Sequence, residues 1–240
     1  MKQENWYDVD TARGGDFSLS NAFPILMRKV FVWMTLALAI TGITAYGVAS
    51  SPALVGMIFS SKVIFWGLII AEFGLVMAIS GAINRLSLAT ATLLFILYSV
   101  VNGATLSVIF LAYSTTVIAK TFFITAGTFG AMALVGYTTK TDLTSMGKLL
   151  FMALIGIIIA SVVNIFVGSS GLDLIISYVG VLVFVGLTAY DTQKIKEMCR
   201  MAPDAGESMQ KLALLGSLSL YLDFVNLFLY LLRIFGNNKD

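Results

Sequence analysis

Apolar residues gather in seven long blocks, at about residues 27–50, 63–84, 87–111, 117–137, 149–168, 174–193 and 212–235. Each is near the ~20 residues a helix needs to cross the hydrocarbon core of a bilayer. The pattern therefore predicts seven membrane-spanning helices. The polar stretches between them are short, apart from 194–211 and the Gly/Ser-containing 51–62. Short connections make successive helices antiparallel neighbours in one bundle. The expected fold is an all-α polytopic membrane protein, with residues 23–240 as one seven-helix domain and residues 1–22 as a polar tail. The first block is preceded by mixed charge and followed by no small-residue cleavage site, so it reads as a retained helix and not a signal peptide.

Composition supports the lipid setting. The chain is 58% hydrophobic and 12% charged, about half the charge of a soluble domain. With the N-terminus inside, eleven of the 15 Lys and Arg residues fall at inner ends, and Lys62, Lys120, Arg233 and Lys239 at outer ones. That asymmetry favours a cytoplasmic N-terminus. A net charge of +2, with no basic run interleaved with aromatics, gives no reason to expect nucleic acid. Histidine is absent, which removes the usual near-neutral proton switch. The single cysteine, Cys199, excludes an internal disulfide and is expected to be inert in the polar 194–211 loop. Chemistry inside the membrane is left to carboxylates, amides, hydroxyls and a few basic groups.

Two carboxylates break the apolar pattern: Asp191 in GLTAYDTQKIK and Asp223 in SLYLDFVNLFLYLLRIFG. An acid in hydrocarbon costs several kcal/mol unless it is paired, protonated or hydrated, which makes it a functional-site candidate. At ~1.5 Å per residue, Asp191 lies roughly 25 Å from the outer start of its block and Asp223 roughly 18 Å from the outer end of its own. The depths differ by about one helical turn, so the two carboxylates can meet. Two carboxyls in contact at low dielectric do not both ionise cheaply, and such a pair tends to share a proton. Glu72 lies within the second block and Arg85 at its inner end, where Arg85 reaches Asp191 if the second and sixth helices are neighbours. Asn102, Asn164 and Asn226 recur at an equal spacing of 62 residues, each after a valine. They are candidates for lining a polar path or for bridging helices.

The segments GYTTKTDLTSMGKLLFMALIG, VFVGLTAYDTQKIK and LYLDFVNLFLYLLRIFG together closely resemble the Bax inhibitor-1 family, also called the transmembrane Bax inhibitor motif family, in its bacterial inner-membrane branch. The resemblance implies a seven-helix bundle with the last helix central. It also implies a pH-sensitive calcium leak, with Asp191 and Asp223 as proton sensor and weak calcium ligands, Arg85 as the latch on that sensor and Glu72 as the second-helix acid. Calcium and protons are then the transported species and no resident cofactor is expected. The oxygen-only side chains of the membrane interior suit a hard cation.

Other readings compete with it. Two aspartates on adjacent membrane helices are also the layout of intramembrane aspartyl proteases, whose motifs are Tyr-Asp and Gly-x-Gly-Asp. Tyr190-Asp191 fits the first, but Leu220-Tyr221-Leu222-Asp223 lacks the glycines and no proline follows Pro203. The chain is therefore not expected to be an enzyme. The alternative is a regulatory protein that binds a membrane protease or another inner-membrane complex through its polar tail. Proton-coupled transport of a small solute is a third reading, with no substrate pattern to support it.

Overall fold

A computed structural model describes residues 6–236, with side chains from residue 22 onward. It is helical throughout: α1 Trp6–Ala49, α2 Pro52–Ser60, α3 Lys62–Ala82, α4 Leu88–Leu106, α5 Val108–Ala112, α6 Thr115–Thr138, α7 Thr144–Val167, α8 Ser170–Arg200 and α9 Glu207–Gly236. Among the described residues seven spans are long and apolar enough to cross a membrane, α4 and α5 together making one. The expected all-α polytopic bundle is therefore the fold.

Serines mark where the helices begin. Ser51, Ser61, Ser87, Ser114 and Ser169 each accept a bond from the backbone N–H three residues on, at the starts of α2, α3, α4, α6 and α8. This supplies one of the acceptors that a helix N-terminus lacks. Gly168 closes α7 with φ at 66°, a backbone region in which a side chain would be strained. The stretch 51–62, expected as a loop, is largely helical because Ser51 caps α2 and Pro52 occupies its first turn. α1 begins at Trp6, inside the stretch expected as a tail, since extending an existing helix adds one hydrogen bond per residue fixed. Residues 1–5 of that tail lie outside the described residues.

The last helix is the core of the bundle. Of its membrane window, 67% is buried, against 6% for α3 and for α7. α9 packs against α8, α1, α6 and α4, whereas α3 leans mainly on α4, and α7 on α8. Small residues permit the closest approaches, as expected where no hydrophobic force drives helices together. A Cβ at Gly136 of α6 would run into the Ala189 carbonyl oxygen of α8, and one at Gly103 of α4 would stand 2.6 Å from the Thr41 carbonyl oxygen of α1.

The region 194–211 is not a long loop. α8 continues to Arg200 and α9 starts at Glu207. Lys196 anchors the extension by donating to the Tyr137 carbonyl at 3.0 Å, and Cys199 is buried in the core at 2% exposure rather than lying in a polar loop. The start of α9 is fastened to the α3–α4 turn, where Glu207 Oε1 accepts from Leu88 N–H at 2.9 Å and Lys211 donates to the Leu86 carbonyl at 3.0 Å. At the far end Arg233 of α9 pairs with Asp173 in the first turn of α8 at 3.2 Å. These ties fix one end of α9 to the α3–α4 turn and the other to the start of α8. A helix with Asp223 and Arg233 is accommodated because its neighbours, not lipid, cover most of it.

Candidate functional site

α3 packs on α4 and α7 on α8, and the space between these two pairs is a cavity of about 1010 Å³ floored by α9. Five of the seven residues singled out by sequence line it: Glu72, Asn102, Asp191, Asp223 and Asn226. Helix geometry explains the meeting. α8 and α9 are consecutive and antiparallel, so residues at similar depth on their facing sides are adjacent. The Asp191 and Asp223 side chains come within hydrogen-bonding reach of each other.

The two aspartates differ in setting. Asp223 is 5% exposed and its Oδ2 has no hydrogen-bond partner, while Asp191 is half-buried and open to the cavity. Glu72, from α3, lies near the Thr105 hydroxyl and Asn102 amide of α4, with its buried Oε1 unpartnered. Unpartnered carboxyl oxygens beside a cavity whose lining is otherwise largely apolar are acceptors held ready for a proton or a cation, because leaving them bare costs free energy.

The three asparagines do not share a role. Asn102 Oδ1 accepts from the Tyr221 hydroxyl at 2.9 Å, placing the amide between the cavity and the centre of the bundle. Asn226 donates to the Leu222 carbonyl one turn back on α9 and faces the cavity. Asn164 does neither. Its Oδ1 accepts from Ser169 N–H at 3.1 Å, tying the turn from α7 to α8, and it does not line the cavity. Their equal spacing reflects no common site.

Arg85 is also elsewhere. It is exposed in the turn after α3, outside the cavity lining, and none of the ion pairs among the described residues includes it. α3 packs chiefly on α4 and not on α8, so the two helices are not the neighbours that an Arg85–Asp191 pair requires. The cations that do line the cavity are Lys148 and Lys194, with Lys194 Nζ 6.0 Å from the Tyr190 ring centroid. The signal for Lys194 was its i, i+4 spacing from Tyr190 and its position one turn beyond Asp191. Lys148, on another helix, left no such signal. No cluster of three or more Asp, Glu, His or Cys side chains close enough to hold a metal ion occurs among the described residues.

Fold and site together define a multi-pass membrane protein whose interior carboxyls face a cavity between helix pairs. The chain belongs to the family described as inhibitor of apoptosis-promoting Bax1, whose model matches residues 24–240. It is similar to the inner membrane protein YbhL of Escherichia coli strain K12, with 51% identity over 214 residues, covering 89% of this chain and 92% of that one. An uncharacterized protein of Borreliella burgdorferi shows the same identity and coverage. One from Rickettsia prowazekii is 45% identical over 216 residues, covering 89% of this chain and 90% of its own length.

Proposed function

We propose that the protein is a pH-sensitive calcium leak of a bacterial inner membrane, oriented with its N-terminus in the cytoplasm. The observation that carries this reading is the convergence of Glu72, Asp191 and Asp223 on one cavity, with carboxyl oxygens of Glu72 and Asp223 left unpartnered. Calcium enters as substrate. A hard cation is held by several oxygens, and the cavity offers the aspartate pair, with Glu72 and the amides of Asn102 and Asn226 spread along the same lining and not gathered into one cluster. A site with few ligands binds weakly, which suits passage better than storage.

The aspartate pair is the proton sensor in this reading. With one shared proton it carries one negative charge, and without it two. The change alters both its attraction for a cation and the hydrogen bonds between α8 and α9, biasing one arrangement of the two helices over another. Lys194, a turn beyond Asp191 and facing the same cavity, is the cation placed to respond to that charge. Arg85 acts as a latch only in a second arrangement that brings α3 toward α8.

The test is calcium entry into proteoliposomes measured across pH for the wild type, Asp191→Asn and Asp223→Asn. Flux that rises and falls with pH in the wild type, and loses that dependence in either variant, supports the sensor. Flux and pH profiles unchanged in both variants overturn it.

A further inference from the structure

A second feature, on the opposite side of α9 from the acidic cavity, is independent of the calcium reading. α1 and α6 both pack on α9 but not extensively on each other, and an apolar groove of about 880 Å³ lies between them. Its floor is aromatic: Phe224 of α9 meets Phe129 and Phe122 of α6 edge-on, with ring centroids 5.4 and 5.6 Å apart. Its walls are lowered by small residues, and a Cβ at Gly42 or Gly130 would meet nothing within 4 Å. From Phe122 to Tyr137 the groove follows sixteen residues of α6, fifteen rises of 1.5 Å or roughly 22 Å. That exceeds the depth of one leaflet, half of about 30 Å.

Tyr137 ends the groove and opens a second, polar cavity of about 820 Å³, whose lining includes Lys140, Lys196 and Arg200. Phe23 of α1 stacks on the Tyr137 ring at 6.3 Å and forms the threshold between the two spaces. Among the described residues two acids share the polar cavity, and both are already engaged. Asp142 accepts from Thr144 N–H at 2.9 Å, and Glu197 lies 3.6 Å from Lys196 and 3.8 Å from Arg200. Lys140 is exposed and makes no hydrogen bond or ion pair with a described residue. Among the described lining residues three cations face two acids, an excess of one positive charge, and Lys140 is the cation that neither acid engages, which leaves this end attractive to an anion. An apolar trough longer than one leaflet that runs into a cationic pocket has the two halves of a phospholipid's chemistry.

We infer that the groove between α1 and α6 is a binding site for a membrane phospholipid with an anionic headgroup, an acyl chain lying over Phe129 and Phe224 and the phosphate held by Lys140 and Arg200. Basic residues near the membrane surface contribute about 1 kcal/mol each toward anionic lipid. Dispersion contacts along the trough hold the chain.

The test is native mass spectrometry of the full-length protein in mild detergent, titrated separately with phosphatidylglycerol, phosphatidylethanolamine and inorganic phosphate. Wild type should retain phosphatidylglycerol in preference to phosphatidylethanolamine. The double variant Lys140→Gln/Arg200→Gln should lose roughly thirtyfold in affinity for phosphatidylglycerol, two cations at about 1 kcal/mol each. Gly130→Leu, which fills the trough and leaves the cations in place, should reduce retention of both lipids. Melting temperature controls for folding in each variant. Equal retention of the two lipids by the wild type, displacement of phosphatidylglycerol by inorganic phosphate, retention unchanged in both variants, or a second protein chain in the groove in place of lipid would each overturn the assignment.

Discussion

The Tyr221 hydroxyl of α9 donates to Asn102 Oδ1 of α4 at 2.9 Å, and its oxygen lies 2.7 Å from Thr41 Oγ1 of α1. Three spans are thereby joined at one buried phenol, which Phe95 and Tyr98 enclose edge-on. Tyr221→Phe keeps the ring and removes the hydroxyl, leaving Asn102 Oδ1 without its donor, while Thr41 keeps its bond to the Ser99 carbonyl at 3.0 Å. A stability loss of about 1–3 kcal/mol is expected. Thermal unfolding in detergent checks it, and an unchanged melting temperature would show that the junction carries no weight.

Asp223 is expected to trade stability for function. Its Oδ2 is buried without a partner, and an Asn in its place adds an N–H donor toward the Asp191 carboxyl. Asp223→Asn should melt at or above the wild-type temperature while altering calcium flux. A clear drop in melting temperature would mean that the native carboxyl makes a stabilising bond the amide cannot replace.

Asn164 separates packing from passage. Because it ties the α7–α8 turn through Ser169 N–H, Asn164→Ala should cost about 0.5–2 kcal/mol, the range for losing a capping side chain. Its calcium flux per folded molecule should match the wild type. Reduced flux in proteoliposomes loaded with equal folded protein would bring Asn164 into the conduction path.

The close helix crossings make a steric prediction. Gly136→Ala drives a methyl into the Ala189 carbonyl and should destabilise the α6–α8 contact by about 1–3 kcal/mol. Gly127→Ala, where nothing lies within 4 Å, is the matched control and should leave stability within error. Equal melting temperatures for the two variants would contradict the tight crossing.

Asp142 gives a pH dependence outside the membrane segments. Bonds from the Thr144 side chain and backbone N–H hold its carboxyl below its ordinary value. A group depressed in the folded state contributes stability above its unfolded value, and the contribution fades as pH falls through the folded one. The Asp142→Ala variant should therefore lose its stability deficit relative to the wild type in acid. Melting curves at neutral and acidic pH for the pair test this, and a deficit that persists in acid would assign the effect to something other than the ionised carboxyl.

Much of the architecture is legible in the amino-acid sequence alone. Seven apolar blocks announced seven spans, and Asp191 and Asp223 announced their own depth, because rise per residue converts position directly into distance along a helix. The meeting of those two carboxyls was legible as well, since consecutive antiparallel helices are neighbours. Arg85 was a different matter. Its place at the end of α3 gives a depth, but depth does not say which helix lies beside it, and α3 leans mainly on α4. Cys199 and Lys196 read as loop residues because α8 carries polar residues on past the apolar block, while its last turns are held by a bond to Tyr137 that sequence does not display.

The sequence by itself determined what the bilayer demands: the number of spans, their lengths and the presence of acids too costly to leave in lipid. These depend on chain-local quantities, the apolar run length and the transfer cost of a charge. Only the tertiary structure decided which faces meet. Helix rotation and partner choice follow from contacts between residues far apart in the chain, such as Gly136 against Ala189 or Tyr221 against Asn102. Those contacts place Glu72 with the aspartates, send Asn164 to a turn, and leave a groove between α1 and α6.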